Sequence, residues 1–170
     1  VTTTLGRVST VLQLTEGLPE VEYAPGDVVI AQGTRTGSIW ILVSGSLLVR
    51  RDDQQISTIT RPGAVFGEIS LLLDQEHGAT IVAAEPTLMR VAADGVRLFD
   101  EHAGFSRLVA SDLARRLDSL TIYLADVKRQ YGNAPGIDMV TDVLQQLSRL
   151  PASTTPAARP VSARDPDPEY

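Results

Sequence analysis

Between Val21 and Val91 short runs of aliphatic and β-branched residues alternate with glycine- or proline-bearing turns. The runs VEY, VVIAQ, SIWILV, LLVRR and ISTIT are separated by APGD, GTRTG, SGS and DDQQ, and the last is followed by RPG. Turn signals about every eight to twelve residues, with no helix-length segment between them, predict an antiparallel sandwich or roll rather than a parallel sheet. Gly26, Gly33, Gly45 and Gly63 fall in these connections, where positive φ or close approach is expected. Trp40, inside SIWILV, is expected to pack the roll as a strand residue. Ahead of the strands, Leu5, Val8 and Leu12, with Val11, have the spacing of a short amphipathic helix over 5–14.

After Asp94 the period changes. Leu113, Leu117, Leu120, Leu124, Val127 and Tyr131 follow one another at alternating four- and three-residue steps on a helix expected to begin near Phe105. Such a stripe fits either a helix packed on its own domain or one strand of a two-chain coiled coil. The strict spacing, with Arg115, Arg116, Asp118 and Lys128 off the seam, favours a homodimer through Leu113, Leu117, Leu120, Leu124 and Val127. Gly132, Pro135 and Gly136 end that helix. In IDMVTDVLQQLSRL, Val140, Val143, Leu144, Leu147 and Leu150 then share one face of a second, short amphipathic helix. Residues 151–170, rich in proline, alanine and serine, are expected to be extended or disordered. The expected organisation is one domain over 1–132 including the long helix, a short helix within 133–150, and a tail over 151–170.

Composition removes several kinds of chemistry. The 170 residues contain no cysteine, which excludes disulfides, thiolate metal sites and a cysteine nucleophile. His77 and His102 are the only histidines, so no metal centre is expected. The net charge is −6, and Lys128 is the only lysine. Without a basic stripe, binding to nucleic acid by phosphate neutralisation is not expected, and the pairs Arg50–Arg51 and Arg115–Arg116 read as solvated surface. No apolar run reaches the ~20 residues of a membrane span, and the N-terminal residues lack the basic start and apolar stretch of a signal peptide. The expected location is therefore cytoplasmic, away from membranes. No nucleophile–base pair stands out, and Asp52–Asp53 reads as a hairpin turn, so the chain is not expected to be an enzyme.

One segment carries candidate chemistry: Phe66-Gly-Glu-Ile-Ser-Leu-Leu-Leu-Asp-Gln-Glu-His-Gly-Ala-Thr-Ile-Val-Ala83. Gly67 lets the backbone approach a ligand. Glu68 to Leu72 can form a helical turn whose unpaired N–H groups attract an anion. Glu68 is an acceptor suited to a ribose hydroxyl, or a structural acceptor at the start of that turn. Eleven residues beyond Gly67 come Gly78, Ala79 and Thr80, where backbone N–H groups and a hydroxyl can reach a phosphate oxygen.

The segment resembles the phosphate-binding cassette of the cyclic-nucleotide-binding domain family, whose pattern is F-G-E-[LI]-[AGS]-L followed by R-[ATS]-A-[TS]-[VI]. Tyr23 to Gly33 and Ile39 to Val49 are similar to the family's early strands, and Leu113-Ala-Arg-Arg-Leu117 to the start of its C-terminal helix. The resemblance covers about residues 5–131. It implies an α+β fold: an eight-stranded antiparallel β-roll of jelly-roll type, with an N-terminal helix and a long C-terminal helix able to close over the pocket. It implies cAMP or cGMP as ligand, and a site at Phe66, Gly67, Glu68, Ile69, Ser70, His77, Gly78, Ala79 and Thr80. Gly67 and Glu68 would contact the ribose and Thr80 the phosphate side.

The family's phosphate arginine falls on His77. A neutral histidine offers one N–H where arginine offers a charged planar fork, and losing one charged hydrogen bond weakens affinity by about ten- to a hundredfold. Gly78 also removes a possible hydroxyl. Arg35, Arg61 or Arg116 are the candidates to substitute. Three readings of His77 stand open: a surface or loop histidine in a pocket that no longer binds nucleotide, a weaker phosphate partner, or a ligand to another group such as haem, as in some sensors of the wider superfamily. Ser119 and Thr121 either face the base or lie on a solvated helix face. His102 is expected at a cap or exposed.

Two functions follow. One is a non-catalytic regulatory sensor that binds cAMP or cGMP weakly. The other is a ligand-free interaction module or scaffold, whose 137–150 helix docks into a groove on a partner protein through Met139, Val143 and Leu147. The segment after the long helix is too short for the helix-turn-helix domain of the family's transcription factors, so a stand-alone domain is expected.

Overall fold

The structure, a computed structural model, describes residues 10–132 and 137–148. The chain divides into two compact units, Val1–Arg115 and Arg116–Tyr170. Within the first unit the elements are α1 (described over 10–14), β1 (Glu20–Tyr23), β2 (Val28–Ile30), β3 (Ile39–Ser44), β4 (Leu47–Arg51), β5 (Gln54–Ile59), β6 (Val65–Phe66), α2 (Glu68–Leu72), β7 (Thr80–Ala83), β8 (Thr87–Ala92) and α3 (Gly95–Glu101). Helix α4 (Ala103–Tyr131) passes from the first unit into the second, which also holds α5 (Ile137–Ser148). Among the described residues the strands form two four-stranded antiparallel sheets, ordered β1-β8-β3-β6 and β2-β7-β4-β5. This is the expected eight-stranded roll.

The run SIWILV is apolar throughout because β3 is covered on both faces. Successive side chains in a strand point to opposite sides. Trp40 and Leu42 therefore enter the inner core between the sheets, with Val29, Ile30, Leu47, Phe66, Ile81, Ala83 and Met89. Ile39 and Ile41 enter an outer core beneath the helices, with Val11, Ala92, Leu98, Phe105 and Val109. In α1, Val11 is more deeply placed than Leu12, which packs at the edge of that core; Leu5 and Val8 lie outside the described residues. Arg90 of β8 ties α1 to the sheet, donating to the Leu12 carbonyl at 2.6 Å and to Glu20 at 3.0 Å.

Two expected boundaries move. The DDQQ turn is only Asp52-Asp53, and both residues take positive φ, 49° and 64°. A two-residue turn of that hand matches strand twist and tolerates aspartate, so β5 begins at Gln54 rather than Ile56. Helix α4 starts at Ala103, just after the α3 C-cap residue His102, which is exposed. The 151–170 tail expectation falls outside the described residues, as do residues 133–136. No helix among the described residues is long and apolar enough to cross a membrane.

Candidate functional site

The segment singled out by sequence forms a connection from β6 to β7 around α2. Phe66 ends β6 opposite Trp40 and is buried in the inner core. Gly67 follows at φ 89°. A Cβ there would lie 2.6 Å from the Ser38 carbonyl oxygen and 3.2 Å from the Trp40 ring. Both the backbone conformation and the space require glycine at this point.

Helix α2 spans Glu68–Leu72, the turn expected from sequence. Glu68 is 5 % exposed and has a partner within the protein. Ser70 is also buried, and its hydroxyl donates to the Gln75 carbonyl. The Gln75 N–H returns to the Ser70 carbonyl at 3.0 Å. Ser70 therefore closes the loop on itself, and its hydroxyl is already committed. Ile69, by contrast, is half exposed together with Leu72 and Leu73.

His77 departs from the surface reading. It is 5 % exposed. Its Nε2 lies 3.0 Å from Thr36 Oγ1, and its ring meets Trp40 edge-on at 5.9 Å between centroids. Its backbone pairs with the β2–β3 connection: the His77 N–H donates to Thr34 O at 2.8 Å, and the Gly33 N–H donates to His77 O at 2.9 Å. Burial lowers its pKa from the ordinary histidine value, because a charged ring loses hydration there. A buried histidine bound to a hydroxyl of its own chain is poorly placed to replace an arginine at a phosphate.

Gly78 is exposed and Ala79 half buried. Among the described residues, neither N–H finds a backbone acceptor, and a Cβ on Gly78 would meet nothing within 4 Å. These two N–H groups are available to an anion. Thr80 is differently placed. Alternation along β7 sends Ile81 and Ala83 into the inner core, leaving Thr80 on the opposite face. There its hydroxyl accepts from the Gln32 N–H at 3.1 Å.

Gly67, Glu68, His77, Gly78 and Ala79 thus all lie on the one connection between β6 and β7, while the hydroxyls of Ser70 and Thr80 meet partners within the protein. The substitute arginines are engaged as well. Arg35 pairs with Asp74, Arg61 with Asp112 at 3.4 Å, and Arg116 has a partner. Thr121 donates to the Leu117 carbonyl within α4 at 2.9 Å, while Ser119 is exposed. No cluster of three or more His, Asp or Glu able to hold a metal occurs among the described residues. Thr36 carries no sequence signal, since it approaches the cassette across the fold from a loop some forty residues earlier.

Residues 20–95 match the family described as "Cyclic nucleotide-binding domain". A cGMP-dependent protein kinase of Eimeria tenella is 35 % identical over 75 residues, 44 % of this chain and 7 % of that protein. A cAMP-dependent protein kinase regulatory subunit of Hypocrea atroviridis is 29 % identical over 92 residues, 54 % of this chain and 19 % of the relative. The chain therefore spans less than a fifth of the length of these two relatives. Among solved structures, a Thermus thermophilus catabolite activator protein superposes with a TM-score of 0.56 at 21 % identity, over 86 % of this chain and 84 % of the other. A structure described as "Sp-2Cl-cAMPS bound to PKAR CBD2" gives 0.52 at 22 %, over 69 % and 87 %. At these identities the structural likeness establishes the fold.

Proposed function

Residues 20–95 belong to the cyclic nucleotide-binding domain family, and from that premise we propose that this chain is a non-catalytic regulatory module whose Phe66–Ala83 cassette receives cAMP or cGMP with low affinity. The observation that carries the reading is the pair of N–H groups at Gly78 and Ala79 without a backbone acceptor, on the same β6–β7 connection as Gly67 and Glu68. Backbone donors of this kind bind phosphate oxygens. Low affinity follows from His77, whose imidazole is buried against Thr36 and Trp40, so the charge-assisted bonds of an arginine fork are missing. Regulation would run through α4, provided the ligand distinguishes two arrangements of that helix.

The same burial of His77 favours a second reading, a ligand-free interaction module. In it α4 joins two copies, and α5 presents Met139 and Val143, 71 % and 38 % exposed, to a groove on a partner. Calorimetric titration of the purified chain with each nucleotide separates the two. The sensor predicts binding of one nucleotide with a Kd about ten- to a hundredfold weaker than an arginine-bearing cassette gives. Absence of heat at millimolar nucleotide leaves the interaction module.

A further inference from the structure

Trp40 sits between the two ends of the cassette. The position of a Gly67 Cβ is 3.2 Å from its ring at one end, and the His77 imidazole meets its edge at the other. The β2–β3 connection runs over the same place, and three separate contacts fasten it to the cassette. Backbone bonds join Gly33 and Thr34 to His77. Arg35 pairs with Asp74. Thr36 Oγ1 bonds His77 Nε2 while also accepting from the Ser38 N–H at 3.3 Å. Ser38 in turn places its carbonyl oxygen over Gly67. Contacts therefore link Trp40, His77, Thr36 and Ser38 in series, and Gly67 lies close beside both Ser38 and Trp40, where a side chain would not fit.

We propose that His77 is a positioning residue: through Thr36 and Trp40 it holds the β2–β3 connection against the cassette, and ligand phosphate is received by the Gly78 and Ala79 N–H groups rather than by the imidazole. The phosphate clause rests on the functional reading above; the positioning clause does not. Because the Ser38 N–H already donates to Thr36 Oγ1, the threonine proton can point at Nε2, and a neutral imidazole accepts it. An imidazolium would instead donate its Nε2–H to the second lone pair of Thr36 Oγ1, so the contact survives either protonation state and only burial disfavours the charged ring. The charged groups on the elements around His77 are Arg35 of the connection, and Asp74, Glu76 and Glu68 of the cassette.

Trp40 is the only tryptophan, so its fluorescence reports the adjoining histidine directly, since an imidazolium quenches indole more strongly than neutral imidazole. The intact chain is titrated from pH 8 to pH 5 with and without saturating cAMP or cGMP, and amide hydrogen exchange is followed at Gly33 and His77. A single quenching step is expected, with the same midpoint whether or not nucleotide is present. Thr36→Val is expected to speed exchange at both amides about tenfold and to weaken nucleotide binding about three- to tenfold. Thr36→Ser restores both, and His77→Gln abolishes the step. A nucleotide-induced rise of the midpoint by about one unit or more, the response to an adjacent anion, would make His77 a ligand and overturn the proposal. Unchanged exchange in Thr36→Val would overturn it equally. If calorimetry detects no nucleotide, the functional reading falls, while exchange and quenching still decide the role of His77.

Discussion

His77 has a thermodynamic signature as well as a geometric one. Its pKa is lowered in the folded chain by burial, so the unfolded chain takes up the proton more readily. Folding is then fully supported above the unfolded histidine value of about 6.5, and the support is lost as pH falls through the folded value. Chemical denaturation between pH 7.5 and pH 5.5 should show the wild-type chain losing stability on the acid side. His77→Gln should flatten that slope. An identical slope in His77→Gln would mean that the residue does not titrate in a buried site. The motif gives the position of residue 77 in the cassette but not the direction of its side chain. That direction is set by Thr36 and Trp40, forty-one and thirty-seven positions earlier in the chain. Gly67 was more legible, because a glycine before a helical turn has a local cause, although the close approach of the Ser38 carbonyl adds a second one.

At the scale of elements, α4 changes its role along its length. In its first turns Phe105 and Val109 are buried in the outer core, with Leu108 and Leu113 packed at its edge. Leu113, expected in the dimer seam, thus already serves its own domain. Beyond Arg116 the stripe continues with Leu117 and Leu120 at 41 % and 47 % exposure. The reading of a helix packed on its own domain therefore holds for the early half, and the later half is left exposed, because a heptad pattern records that apolar residues need covering but not what covers them. We propose that a second copy covers the later half. Equilibrium sedimentation at tens of micromolar should give a dimeric mass, and Leu117→Asp with Leu120→Asp should give a folded monomer, since charge at seam positions is not tolerated in a dry interface. A monomeric wild-type chain would remove the seam. The strands were more readable than the helix, because β3 alternates between two buried faces and each face supplies its own apolar set.

For the whole molecule the division at Arg115 has a consequence for folding. The described members of the inner and outer cores all precede residue 116, from Val11 to Val109 among the buried residues and to Leu113 among those packed at the edge. Cooperative unfolding follows the core, so the first unit should carry the transition by itself. A chain ending at Arg115 keeps Phe105, Val109 and Leu113 and loses the exposed stripe of α4. Its thermal midpoint is expected to stay within a few degrees of the full chain at a concentration where both are monomeric, with one cooperative transition. Phe105→Ala in the full chain should instead cost about 3–5 kcal/mol, the usual loss for a fully buried phenylalanine, because its ring is completely enclosed and meets Phe99 edge-on at 5.4 Å. Circular dichroism melts of the three proteins decide the matter. If truncation destabilises as much as Phe105→Ala, residues after Arg115 contribute to the core of the roll, and its boundary lies further along α4 than the packing indicates. If only Phe105→Ala destabilises, the roll is an autonomous domain, and its pocket can be tested for nucleotide without the dimer seam or α5.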